Sequence, residues 1–552
     1  MAPTKPDNIG KRLLPSLVDE IAATDPDRVF YSVLKTDNPE DGFQDINAKV
    51  FSQAVDRCSW HIEKHLGRGQ NFPTLAYLGP QDAVYAILVL ASIKTGYKLL
   101  LLSPRNTIEA SQSLLDKTDC NTFLLPPVFP MPIVGQLVQA IQMNVVEIPG
   151  LHHWLEGEQP EPYPYNKTFE EAKSEPFVVL HTSGSTGLPK PLVQTHGTLA
   201  ALDAFTELPS LGYKATYPAM CSGTRLYLAF PLCHCAGLSM LLPGCIYVGF
   251  TVVLARFPPS AEAVDKVHVY GNVQQSCLPP NTLVDLANNP KYLDNLGRLE
   301  QVTFGGGSLP KAAGDAISAR TKLLNCLGTT ECGVLPVQLC DREDWEYLSF
   351  SPTLGHEFRH VSEDIYEHFI VRKPELAQYQ GIFETFPELD EWSMKDLYTK
   401  HPTKEDCWLH QGRTDDIIIF STGEKLNPIG MENIISTNLI VTAALVVGSG
   451  RPQSSLLVET MTPPTTDTER NKILDAIWPN IERANKASTS KRHIHRNMVI
   501  FTSSDKPMSR AGKGTVQRKL TLDAYSSELE ALYKAAEGSA HDPNSEWVNG
   551  AQ

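Results

Sequence analysis

At 552 residues, with 42% apolar and 20% charged side chains, the chain is too long for a single hydrophobic core and has the make-up of an ordinary globular protein. A formal net charge of −15 argues against a general nucleic-acid binder, and eleven irregularly spaced cysteines point to a reducing compartment rather than a disulfide framework. The opening MAPTKPDNIGKR lacks the apolar run of a signal peptide, so a cytoplasmic address is expected.

In chain order, Leu17, Val18 and Ile21 predict a short helix and 29–34 a strand. Phe51, Val55, Cys58, Ile62 and Leu66 recur every three or four residues, and Gly67 marks the stop of the helix they predict. Strand-like runs at 74–78, 98–102 and 122–125 alternate with helical patterns at 82–95 and 106–117, which predicts parallel sheets covered by helices. The alternation resumes with a helix from 198, strands near 225–230 and 248–254, and a strand at 301–304. The stretch 226–255 carries no Asp, Glu, Lys or Arg, but Pro231, Pro243 and several glycines break it, so it reads as core with a helix near 236–242 rather than a membrane span.

Beyond 355 the texture changes. Residues 363–372 alternate like an exposed antiparallel strand, and 408–420 read as a pair of strands around GRTDD. Strands near 440–447 and 455–460, with helices near 468–483 and 520–534, make a smaller unit. The basic stretch from Arg483 to Arg496 reads as a solvated face and the polar, turn-rich end as a linker. The expected fold is α/β: a large multi-subdomain body with helix-covered sheets over 1–412, a hinge at 413–416, a small mobile α+β lid over 417–534 and a tail at 535–552.

The most informative stretch is VVLHTSGSTGLPKPLVQTH at 178–196. Val178, Val179 and Leu180 read as a buried strand. Gly184 and Gly187 allow a tight turn whose N–H groups face one concavity, Thr182, Ser183, Ser185 and Thr186 add hydroxyl donors, and Lys190 supplies a mobile charge suited to a polyphosphate. The common nucleotide loop GxxxxGK[ST] does not fit, because Lys190 stands between two prolines. The string instead resembles the phosphate loop of the adenylate-forming superfamily of acyl-CoA synthetases, luciferases and peptide-synthetase adenylation domains.

Further stretches follow in that family's order. In PLCHCAGLS, His234 matches the position lining the carboxylate end of the acyl pocket; Cys233-His234-Cys235 lacks the spacing of a zinc site. In FGGGSLP, the resemblance implies that Gly305, Gly306 and Gly307 form a wall of the adenine site. NCLGTTECG resembles NxYGxTE, with Asn325, Gly328 and Thr329 at the nucleotide, Thr330 on phosphate and Glu331 holding Mg²⁺, a hard ion suited to an oxygen ligand. Leu327 replaces the family's aromatic, so adenine stacking by that side chain is lost. Asp396 matches the carboxylate that accepts the ribose hydroxyls, although Met394-Lys395 stands where the family has Gly or Ser-Gly. Arg413 matches a ribose and phosphate contact, Asp415 the pivot of the lid, and Lys513, between Gly512 and Gly514, the lysine that reaches the reacting carboxylate.

The implied reaction is attack of a carboxylate on the α-phosphorus of ATP, two anions whose repulsion catalysis must neutralise. Glu331 with Mg²⁺, Lys190 with the hydroxyl loop, and Lys513 would supply that field, and the acyl-AMP would pass to a thiol. Amino-acid-activating domains carry a pocket Asp that pairs the ammonium. CHCAGLS has none, so the expected substrate is a carboxylic acid without an α-amine. GEKLNP and RAGKGTVQRK look most like the adenylation domains of fungal peptide-synthetase-like carboxylate reductases, which often take aromatic acids. The expected acceptor is then the phosphopantetheine thiol of a carrier domain, with a reductase domain as further partner; neither a carrier motif nor a GxxGxxG fingerprint occurs here, and the chain is expected to be an adenylation domain of a longer protein. A free-standing aryl- or acyl-CoA ligase, using CoA, is the alternative. A silent nucleotide-binding module is disfavoured by the joint presence of Lys190, Glu331, Asp396 and Lys513.

Overall fold

The computed structural model describes residues 8–127, 132–141, 143–182, 188–362, 364–488, 490, 492–510 and 516–539. The chain forms two units. One comprises Met1–Glu357, Phe369–Trp392 and Lys400–Leu409, the other Phe358–His368, Ser393–Thr399 and His410–Gln552.

Thirteen strands of the first unit make two sheets. They are β1 (Val29–Leu34), β2 (Phe43–Asn47), β3 (Thr74–Tyr77), β4 (Lys98–Leu101), β5 (Thr122–Leu125), β6 (Asn144–Glu147), β7 (Pro176–Thr182), β8 (Lys190–Thr195), β9 (Arg225–Leu228), β10 (Thr251–Leu254), β11 (Gln275–Leu278), β12 (Gln301–Gly305) and β13 (Lys322–Cys326). One sheet has the order β6-β5-β3-β4-β7-β8 and the other β13-β12-β11-β9-β10-β1-β2. Pairing is parallel throughout except at the edges, where β7–β8 and β1–β2 run antiparallel.

The expected stripe forms the helix Ala48–Leu66. Asn47 caps it, its side chain accepting from Val50 N–H at 2.9 Å; Phe51, Val55, Cys58 and Ile62 are buried, and Gly67, at φ +73°, ends it. The helix Val84–Lys94 is buried on every side, so its terminal charge needs partners. Lys94 Nζ finds Asp19 at 2.8 Å and Asp56 at 2.9 Å.

The uncharged stretch is core, but it is wound otherwise than expected. The helix Cys235–Ser239 runs into a π-helical segment, Met240–Val248, containing Pro243, and β10 begins only at Thr251. Pro243 has no N–H to give and crowds the preceding turn, which disfavours the regular α-ladder here. Among the described residues no helix is long and apolar enough to cross a membrane.

The second unit has its own core around the three-stranded sheet Val441–Val447, Ser455–Thr460 and Val499–Phe501 and the helices Ile429–Ile435 and Asp467–Ala487. Arg518 ties it together: it donates to buried Glu432 at 2.6 Å and to Val446 O at 2.9 Å. Burial raises the Glu432 carboxyl, against the pull of Arg518. Two findings differ from the sequence reading. The chain enters this unit at residue 358, because 358–368 and 393–399 cluster with it. The last helix, Ser526–Ser539, extends past 534, with Ala536 buried beside Met498 and Tyr533. The basic stretch lies on the surface, as expected, with Arg492 3.3 Å from Glu424 and Arg496 paired with Asp475.

Candidate active site

The antiparallel ladder of β7 and β8 sets Thr182 opposite Lys190, so the two ends of the hydroxyl-rich loop meet side by side. Ser183, Gly184, Ser185, Thr186 and Gly187 lie outside the described residues, and Lys190 is exposed. His181, immediately before Thr182, has its Nε2 3.5 Å from Asn106 Nδ2. Its ring stands edge-on to His234, with centroids 6.2 Å apart. Burial, then the neighbouring His234, pushes the His181 imidazole down to about 4, so it is neutral at pH 7.

His234 is the N-cap residue of the helix Cys235–Ser239. Its N–H donates to Pro231 O at 3.1 Å and its carbonyl accepts from Leu238 N–H at 2.9 Å, while Gln81 Oε1 accepts from Leu232 N–H at 2.7 Å. The turn closes this tightly because residue 237 is glycine; a Cβ there would sit 2.1 Å from Pro231 O.

Cys235 then joins two distant segments. Its thiol donates to Thr329 O at 3.3 Å, and Gln194 Nε2, from β8, donates to Thr330 O at 2.8 Å and reaches Cys235 Sγ at 3.7 Å. Burial raises the Cys235 thiol, bonds from Ser239 and Gln194 oppose this, and the Glu331 charge adds to it, so the thiol stays protonated as a donor. The hairpin Gly328–Val334 is braced further by Cys332 N–H on Thr329 Oγ1 at 3.1 Å and Thr385 Oγ1 on Glu331 O at 3.1 Å. Glu331 is half-buried, on a segment whose backbone is held on both sides. Its carboxylate, carried on that held backbone, is an oxygen donor of the kind a hard ion such as Mg²⁺ takes.

Gly305, at the end of β12, pairs with Cys326 of β13, and a Cβ there would lie 2.7 Å from Cys326 Sγ and 2.8 Å from its carbonyl. Its lack of a side chain therefore already has a packing reason. Gly306, at φ +78°, takes the left-handed region, and Gly306 and Gly307 are exposed. Asn325 Nδ2 donates to Glu346 O at 3.4 Å, and half-buried Leu327 accepts at its carbonyl from Leu335 N–H at 3.0 Å.

The second unit gathers another group. Asp396 has a side chain only 8% exposed; its Oδ1 lies 3.2 Å from Arg413 Nη1 and 3.8 Å from His410 Nε2. The Tyr398 ring stands edge-on to His410 at 5.4 Å. Lys395 occupies the left-handed region at φ +57°, the conformation a glycine would supply, at a cost of about 1–2 kcal/mol for an L-residue. Its Nζ is 3.7 Å from Asp415 Oδ1, and Arg413 Nη2 is 3.8 Å from Asp415 Oδ2. Lys513 lies outside the described residues. His181, Gln194, Cys235 and His410 are not singled out as site residues from sequence; the first two sit inside 178–196 and Cys235 inside PLCHCAGLS, whereas nothing local marks His410.

Residues 18–366 match the model of the AMP-binding enzymes, and 415–537 that of the AMP-binding enzyme C-terminal domain. The chain belongs to the AMP-binding enzyme family, and its activity is that of an adenylate-forming ligase. It is 37% identical to a carboxylic acid reductase of Neurospora crassa over 545 residues, 96% of this chain and 51% of that protein. It is 32% identical to the adenylate-forming reductase Nps9 of Serpula lacrymans, covering 93% of this chain and 49% of that one. The solved acetoacetyl-CoA synthetase from Streptomyces lividans superposes with a TM-score of 0.72 at 16% identity, covering 95% of this chain and 87% of that chain, which bears out the expected α/β class. The chain spans about half the length of the curated relatives it matches.

Proposed function

We propose that the chain activates a carboxylic acid lacking an α-amine, of the aromatic class, as its acyl-AMP, and delivers the acyl group to the phosphopantetheine thiol of a carrier domain for reductive release by a partner domain. The observation that carries the site assignment is the convergence of Gln194, Cys235 and the Thr329–Glu331 segment at 2.8–3.7 Å, on the same strand that ends the hydroxyl loop. In this reading Thr182, Lys190 and the loop between them take the phosphates, with Thr330 beside them. Glu331 holds Mg²⁺, which when bound offsets phosphate charge. Asp396 and Arg413 serve the ribose, Gly305–Gly307 and Leu327 line the adenine, and Lys513 reaches the reacting carboxylate.

The residues 231–239 contain no carboxylate, so a buried substrate ammonium would have no anion from this stretch. Relatives named reductases, each matched over about half its length, support the carrier and reductase partners. ATP–pyrophosphate exchange with benzoate, cinnamate, octanoate and phenylalanine tests the substrate class. Aromatic acids should exceed the others, and phenylalanine as best substrate would overturn the reading. Glu331→Gln, which keeps shape and removes charge, should lower exchange by about two orders of magnitude and raise the Mg²⁺ requirement. A wild-type rate with unchanged Mg²⁺ dependence would remove Glu331 from the metal.

A further inference from the structure

We propose that His410 is a positioning residue for nucleotide binding, acting through Asp396 to fix the carboxylate in the orientation that accepts the ribose diol. The inference rests on the reading of Asp396 given above. Rotation about the last bond of an Asp side chain is soft and roughly two-fold, so a carboxylate that must take two hydroxyls at once needs its plane set by something else. Here Arg413 and His410, both on the strand Cys407–Arg413, approach the same oxygen, Oδ1, at 3.2 Å and 3.8 Å. A carboxylate offers about four lone-pair sites, and with Arg413 bonded to Oδ1 there is still capacity for two hydroxyl donors.

The 3.8 Å separation is too long for a direct hydrogen bond, so His410 acts as a polar edge that favours one orientation of the carboxylate rather than as a tight clamp. Tyr398, edge-on to the imidazole at 5.4 Å, limits the ring's own rotation. The backbone points the same way. Lys395, next to Asp396, is held at φ +57°, and its N–H donates to Ser393 Oγ at 3.1 Å, so Asp396 is presented from an irregularity in the strand Glu391–Lys400 that an L-residue adopts only at a cost.

The test is calorimetric titration of the full chain with Mg²⁺-ATP, Mg²⁺-2′-deoxy-ATP and Mg²⁺-3′-deoxy-ATP, with no acid present. His410→Ala should weaken ATP about two- to fivefold, below the scale of one direct hydrogen bond because the 3.8 Å approach is not one, and weaken each deoxynucleotide less, because one hydroxyl of the pair is already missing. His410→Gln, which returns a polar N–H, should recover most of the ATP affinity. Asp396→Asn is the control for the underlying reading. If it leaves ATP affinity unchanged, Asp396 does not hold the ribose and both readings fall. If it weakens ATP while His410→Ala does not, or if His410→Ala weakens all three nucleotides equally and Gln fails to rescue, the role of His410 is overturned and the assignment of Asp396 stands.

Discussion

Gly237→Ala probes the turn that carries His234. The added methyl would lie 2.1 Å from Pro231 O, 2.7 Å from Pro231 C and 3.1 Å from Leu232 Cα, the nearest almost 1 Å inside the closest approach that real Cβ atoms show. All three neighbours are backbone, so no flexible side chain can yield. The turn is also pinned, by Gln81 on Leu232 N–H at 2.7 Å and by the 231–234 bond at 3.1 Å, so it must shift as a body and take the His234 backbone with it. Overpacking of this kind costs about 1–3 kcal/mol of stability, and moving a positioning group by about 1 Å can cost about a hundredfold in rate. The assay is benzoate-dependent pyrophosphate exchange alongside calorimetric ATP binding and thermal unfolding. Exchange should fall about a hundredfold with ATP affinity within about twofold of wild type. Gly430→Ala, in the helix Ile429–Ile435, is the control: its added methyl would meet nothing within 4 Å, and exchange should be unchanged. Wild-type exchange and unfolding in Gly237→Ala would refute the steric reasoning, and loss of ATP binding in parallel would mean general damage rather than a displaced turn.

Lys513→Ala should lose about 3–4 kcal/mol of transition-state stabilisation in acyl-AMP formation and much less in transfer from synthetic benzoyl-AMP to a thiol; equal losses in both half-reactions would remove Lys513 from the adenylation step. Acid stability offers an independent check. His268, its Nε2 2.8 Å from Ser276 Oγ, is pushed down to about 3 by burial, and His196 likewise to about 3 by burial and then by Lys167. A depressed imidazole favours the fold fully above its unfolded value of 6.5 and progressively less as pH falls from there toward 3. Each should therefore withdraw roughly 2–3 kcal/mol by about pH 4.5. Denaturation midpoints measured from pH 7.5 to 4.5 should show a shallower acid limb in His268→Gln, and an identical limb would refute the assignment.

Periodicity and composition sufficed for the features that depend on neighbours in sequence. The stripe Phe51, Val55, Cys58 and Ile62 and its glycine stop appear as one helix, the strand run before it appears as β1, and those after it appear as β3, β4 and β5. The motif order from Thr182 to Arg413 was likewise legible, because the strings that carry chemistry are short and local. What only the tertiary structure decided are pairings across long separations: Gln194 with Thr330, 136 residues on; Cys235 with Thr329, 94 residues on; and the neutral His181 facing His234. No local pattern encodes these, since each arises when sheet order brings together strands that the chain visits at different times. The same cause placed His410 beside Asp396, and drew 358–368 and 393–399 into the second unit, where sequence texture had set the boundary at a turn of charged residues. Burial did the rest, converting residues whose composition says only polar into a neutral imidazole, a protonated thiol donor and a carboxylate fixed by its neighbours.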